Sequence, residues 1–121
     1  MPGFVALLGD TIAGVITLHV VGDACEVVTI NSRMDGSGAG TALFAAAISY
    51  ARDRGCRRLW LITTNDNTDA LRFYQRRGMR LTAVHTGAVD AARQQEPEIP
   101  RVGRHGSPIH DEIELTIDLD G

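Results

Sequence analysis

A chain of 121 residues, 44% hydrophobic and 22% charged, has room for one modest core and not for two. A formal charge of -3 excludes the basic stripe of a duplex-binding protein, and because all 12 basic residues are arginine, no lysine can act as catalyst or acceptor. No signal segment or membrane-spanning run is read in it, which predicts a cytoplasmic protein without a membrane partner.

In chain order, Phe4 to Leu8 reads as a strand, Gly9-Asp10 as a turn, and Ile12 to Val21 as a second, alternating strand, which together make an antiparallel hairpin. Gly22-Asp23 turns the chain again into a third strand from Cys25 to Asn31. Simple alternation there places Glu26, Val28 and Ile30 on one face and Val27 and Thr29 on the other. Cys25 and Cys56 are not spaced as a redox pair and read as reduced core thiols. The four histidines show no metal-ligand spacing, so no metal is expected.

The stretch from Asp35 to Tyr50, DGSGAGTALFAAAISY, runs a glycine-dense loop directly into an amphipathic helix. Gly36, Gly38 and Gly40 let a ligand lie against the main chain, and the first N–H groups of a helix attract phosphate. Leu43, Ala46, Ala47 and Tyr50 repeat as one buried face, and Gly55 is the expected stop. The loop lacks the Gly-Lys-Ser/Thr ending of a nucleoside-triphosphate loop. It lacks the dinucleotide fingerprint as well, since the spacing of its glycines differs and Asp53 lies inside the helix. On these residues alone it is either a pyrophosphate cradle or a turn that lets helix and strand pack closely.

Arg58 to Thr64, RLWLITT, is the near-continuous apolar run of a strand covered on both faces, so strand, helix and strand imply a parallel βαβ crossover. Asn67 is the expected cap of a second helix that carries Ala70, Phe73, Tyr74 and Arg77 and ends at Gly78. Met79 to His85 and Ile113 to Leu119 complete the strands. The last of these turns Ile113, Leu115, Ile117 and Leu119 inward. The connection from Val89 to Asp111, with Pro97, Pro100, Pro108, Gly103 and Gly106, is expected to be irregular or only briefly helical. Ile99, Val102 and Ile109 would anchor it as a lid over a site. Arginines cluster at 52, 54, 57 and 58 and again at 72, 76, 77 and 80, as helix-end charges or as attractants for a ligand phosphate.

Taken together, the glycine loop entering a helix, the apolar strand after it and the run N-T-D-A-L-R-F-Y-Q-R-R-G-M resemble the GNAT N-acetyltransferase superfamily. Its loop motif, Arg/Gln-x-x-Gly-x-Gly/Ala, falls on Asp35 to Gly40, with Asp35 where an Arg or Gln is usual. Its second signature falls on Asn67, Ala70, Phe73, Tyr74, Gly78 and Met79. The resemblance implies an α/β (α+β) fold with a mixed, mostly antiparallel sheet, a βαβ crossover and central strands that splay near the loop. It further implies a single domain over residues 1–121 that starts at the hairpin, without the strand and two helices that usually come first. The acceptor groove is then open, or walled by the second subunit of a homodimer.

By the same resemblance the co-substrate is acetyl-CoA. Its pyrophosphate would lie on Gly36, Ser37, Gly38, Ala39, Gly40 and Thr41, and its pantetheine along Thr29, Ile30 and Asn31. Asn67 would reach the pantetheine or simply cap its helix. A primary amine of a small-molecule or amino-acid-like acceptor would attack the thioester directly, with the oxyanion held by an N–H of the third strand. Tyr74 would protonate the leaving sulfur, and Glu26, its pKa raised by apolar surroundings, would act as base. Glu112 and Glu114 are alternative anchors for a cationic substrate. The competing reading is a non-catalytic CoA-binding or protein-interaction module.

Overall fold

The computed structural model describes residues 2–8, 10–32 and 38–120. Gly9 of the first turn and Asp35, Gly36 and Ser37 of the glycine loop lie outside the described residues. Among the described residues, six strands form one mostly antiparallel sheet in the order β1-β2-β3-β4-β6-β5, and three α-helices accompany it. The chain divides into two compact units, Met1–Trp60 with Asp118–Gly121, and Leu61–Ile117.

In the first unit, β1 (Gly3–Leu8) and β2 (Thr11–Val21) pair antiparallel, as do β2 and β3 (Ala24–Ser32). The start of β4 (Arg58–Thr64) joins β3 in parallel, from Ala24 opposite Arg58 to Glu26 opposite Trp60, so the expected βαβ unit is present. Helix α1 (Ala39–Asp53) packs on β1, β2 and β3. Six alanines make its sequence strongly helix-forming, and fully buried Ala47 and Ala51 let it approach the sheet closely. Leu43 and Phe44 from the helix meet the same core as Ile16, Leu18, Cys25, Val27 and Leu59 from the strands. Phe4 and Tyr50 meet edge to face at 5.8 Å. Gly55, at φ 75°, ends the helix turn as expected, and the Cys56 N–H bonds back to the Ala51 carbonyl at 2.9 Å.

The register of β3 corrects the alternation read from sequence. Thr17 opposes Thr29 but Leu18 opposes Val27, so Val28 is an extra residue, a β-bulge. Downstream of it the faces exchange. Ile30 joins Cys25 and Val27 on the helix side, while Thr29 and Asn31 join Glu26 on the opposite face.

The second unit contains the end of β4, α2 (Thr68–Arg76), the antiparallel pair β5 (Arg80–His85) and β6 (Glu112–Asp118), and α3 (Ala88–Gln95). Its apolar core is Leu61, Tyr74, Met79, Val89, Ile109 and Leu115. The long connection holds more order than its prolines suggest. Helix α3 occupies its first third, a 3-10 turn forms at Arg104–Gly106, and Val102 bridges to Pro108.

Candidate functional site

The residues expected to carry the chemistry fall into two groups, one in each unit. In the first unit, α1 starts at Gly38, whose φ of 83° a side chain would disfavour, and the Ala42 N–H closes the first turn on the Gly38 carbonyl at 3.0 Å. Ala39, Gly40 and Thr41 therefore form the opening turn of the helix, where the positive end of its dipole lies, and that turn itself contains no acidic residue. Thr29, Ile30 and Asn31 follow the bulge on β3, and the Thr17 and Thr29 hydroxyls share a 2.6 Å hydrogen bond.

Glu26 is half-buried in the middle of a row across the sheet. His19 of β2 and Trp60 of β4 are its register partners, so imidazole, carboxylate and indole stand side by side on one face. The bulge decides which neighbours Glu26 has along its own strand, and these are Thr29 and Asn31 instead of Ile30. Beneath, on the helix side, Cys25 and Cys56 are buried free thiols. Burial first, then Cys56 and Glu26, push the Cys25 thiol up to about 11.

In the second unit, Asn67 occupies the position that begins α2, but its side chain makes no cap bond. Its amide donates to the Thr63 hydroxyl at 3.3 Å. Tyr74, two turns along, is the buried residue of α2, and burial pushes its phenol up to about 12. Below it the helix closes firmly. The Arg77 guanidinium lies 3.5 Å from the centre of the Phe73 ring and donates to the Phe73 carbonyl, and the Met79 N–H bonds to the Tyr74 carbonyl. Glu114 sits 3.5 Å from His85, with Thr82 beside it, and Glu112 is in register with His85.

Sequence reasoning missed a polar clasp between the β4–α2 turn and the long connection. Asp66, 6% exposed, accepts from the Thr64 hydroxyl at 2.5 Å and from the Arg104 N–H at 3.0 Å. Burial alone would raise its pKa, but those two bonds, its own backbone and the Arg104 charge outweigh it and hold the carboxyl below its ordinary value. Asn65 donates to the Pro108 carbonyl and accepts from the N–H groups of His110 and Asp111. From α3, buried Arg93 donates to the carbonyls of Ile99, Pro100 and Ile109 at 3.2, 2.6 and 2.5 Å and to Asp90 at 2.8 Å. The consecutive Asn-Asp-Asn at 65–67 was the available signal, and only Asn67 had been read.

Residues 1–79 match the model of the acetyltransferase (GNAT) family. The uncharacterized protein YxbD of Bacillus subtilis (strain 168) is 44% identical over 110 residues, covering 91% of this chain and 69% of that protein. Among solved structures, a Bacillus subtilis acetyltransferase in complex with CoA superposes with a TM-score of 0.83 at 24% identity, over 96% of this chain and 75% of that one. A GNAT family acetyltransferase from Elizabethkingia anophelis with acetyl-CoA bound gives 0.82 at 22%, over 96% and 74%.

Proposed function

Since the chain belongs to the GNAT acetyltransferase family, whose co-substrate is acetyl-CoA, we propose that it moves the acetyl group of acetyl-CoA onto a primary amine of a small-molecule or amino-acid-like acceptor by direct attack. The whole chain, residues 1–121, acts in this reading as one acetyltransferase domain. The amides of the glycine loop, from Gly36 and Ser37 through Gly38, Ala39, Gly40 and Thr41, take the pyrophosphate, and Thr29 to Asn31 pair with the pantetheine amides. Both of the solved structures named above hold CoA or acetyl-CoA, which supports the choice of ligand.

In the reaction, the amine nitrogen forms a bond to the thioester carbonyl carbon and the oxyanion is held by a β3 N–H. The C–S bond then breaks and the sulfur leaves with the electron pair. The observation that carries this reading is Tyr74. With its pKa at about 12, the phenol keeps its proton throughout the neutral range. Phenolate is a stronger base than the CoA thiolate, so Tyr74 works best by donating a hydrogen bond to the sulfur as charge develops there. Any proton it does release is recovered from the attacking amine. Glu26, with Thr29 and Asn31 on the same sheet face, takes the ammonium proton directly or through water.

Calorimetric titration with acetyl-CoA and CoA, followed by thiol release over a panel of amines, tests the proposal. Tyr74→Phe is expected to lower kcat about 100-fold while the acetyl-CoA Kd changes by less than about threefold. Binding without amine-dependent release would instead identify a CoA-binding module.

A second copy of the chain is also proposed, as cover for Val5, Leu7 and Ile12, which are 54, 62 and 45% exposed on the first hairpin. Edge strand β1 carries no charge in its six residues, so two copies can meet there about a two-fold axis without like-charge repulsion. Sedimentation velocity at micromolar concentration reads this directly, and a monomer would exclude it. Residence in the reducing cytoplasm is the setting in which the two free thiols persist.

A further inference from the structure

We propose that Asp66 is a positioning residue for acetyl transfer, holding the connection at Gly103-Arg104 against the turn that starts α2 and so fixing the helix that carries Asn67 and Tyr74. The inference rests on the reading of Tyr74 given above. Helix α2 is nine residues long and Tyr74 is its buried residue, so apolar packing alone anchors it weakly. Its first turn has no side-chain cap from Asn67. What holds that end is polar and comes from residues far along the chain.

Both carboxylate oxygens of Asp66 are used, one on the Thr64 hydroxyl and one on the Arg104 N–H, and the Asp66 carbonyl accepts the Thr68 N–H at 2.9 Å. The approach is so close that a Cβ at residue 103 would stand 2.1 Å from Asp66 Oδ2, so only glycine admits the carboxylate there. Within the first turn of the helix, Asp69 faces Arg104 at 3.5 Å and His105 at 3.3 Å. Asn65 ties the residue before the clasp to Pro108, His110 and Asp111. The connection thus acts as a brace for α2 more than as a lid over it.

A buried carboxylate adds little net stability compared with an apolar residue of the same volume, because its desolvation offsets its bonds. Hydrogen bonds have fixed lengths and angles, however, and they define where a helix points in a way that apolar contact does not. The benefit falls on Tyr74, whose hydroxyl must meet a sulfur within hydrogen-bond distance. Misplacement by about 1 Å can cost on the order of 100-fold in rate.

The test compares Asp66→Ala, Asp66→Asn and Arg104→Pro, the last removing the Arg104 N–H that Asp66 Oδ2 accepts, together with the exposed Arg104–Asp69 pair, while leaving the Asp66 carboxylate in place. Amide exchange over residues 68–76 and kcat with acetyl-CoA are measured on each folded variant. Asp66→Ala and Arg104→Pro are expected to speed exchange in α2 and lower kcat, each about tenfold, with the acetyl-CoA Kd within about threefold. Asp66→Asn, which can still bond to both partners, is expected to recover most of both. Unchanged exchange in Asp66→Ala and Arg104→Pro would overturn the coupling, and faster exchange with unchanged kcat would overturn the positioning role. Wild-type protein that binds acetyl-CoA but releases no thiol would end the reading of Tyr74, and the exchange data alone would then decide whether Asp66 fixes α2.

Discussion

Buried residues in the first unit are apolar among the described positions, from Ile16 and Leu18 on the sheet to Leu43, Phe44 and Ala47 on the helix, whereas the second unit buries Asp66 and Arg93 within a smaller set of apolar side chains. The difference is one of kind. Apolar burial is strong but has no preferred direction, so it brings a helix and a sheet together without fixing an angstrom-scale position. Hydrogen bonds to a buried carboxylate or guanidinium contribute less net stability and more geometry. The unit that carries Tyr74 uses the directional kind.

The largest expected effect comes from breaking the apolar side of this contrast. Leu18 has no exposed surface, so Leu18→Ala should destabilise by about 3 to 4 kcal/mol in denaturant unfolding, as transfer energy is lost and a cavity is left. Breaking the polar side should cost less in total and act more locally. Arg93→Ala strands the carbonyls of Ile99, Pro100 and Ile109 without their donor, a loss of about 2 to 3 kcal/mol. Amide exchange should rise over residues 96–111 while residues 39–53 keep their protection. An equal rise in both would show that the two units do not open separately.

The same contrast explains how much could be read from sequence. Elements built on local pattern were legible: the hairpin, α1 with its stop at Gly55, the strand β4, and the start of α2 at Asn67; the expected cover on both faces of β4 was not found, since Ile62 is 39% exposed. Phe44 joined Leu43 and Ala47 in the core without having been singled out, because the buried face of α1 is wider than a strict i, i+3, i+4 count. The bulge at Val28 was not legible, since it exists only in the register of β3 against β2 and nothing in CEVVTIN marks the extra residue. Helix α3 is the brief helix that the connection was expected to allow; its place, in AVDAARQQ, eight good or tolerable helix formers between Gly87 and Pro97, was not singled out because the prolines beyond it dominate the composition. The Asn-Asp-Asn run marked one side of the clasp, but its partners were out of reach: Asp66 and Arg104 are 38 residues apart, and Asn65 and Asp111 are 46 apart.

Acid should distinguish the units next. The folded pKa of Asp66 lies below its ordinary 3.8, so its ionised form is favoured by folding. Its contribution is complete above that ordinary value and is lost as pH falls through the lower, folded one. Exchange over residues 100–111 is therefore expected to rise below about pH 4 before α1 loosens, and Asp66→Asn should remove that step. A simultaneous rise in both units, or a step that survives in Asp66→Asn, would assign the acid response to other carboxylates.

The smallest effect sharpens the comparison most, because it repeats the chemistry of Arg93 without the burial. Arg57 faces Asp120 at 3.6 Å in the first unit, with the two side chains 72 and 62% exposed. Water already solvates both charges, so the pair gains little by meeting and is screened by salt. The backbone of Arg57 is held independently, its N–H on the Asp23 carbonyl at 2.7 Å and its carbonyl on the Leu119 N–H at 2.8 Å. Arg57→Gln should therefore change unfolding stability by less than about 0.5 kcal/mol, and about 0.5 M salt should erase even that. If it cost as much as Arg93→Ala, burial would not be what separates the two guanidinium groups, and the directional role assigned to the polar contacts of the second unit would lose its physical basis.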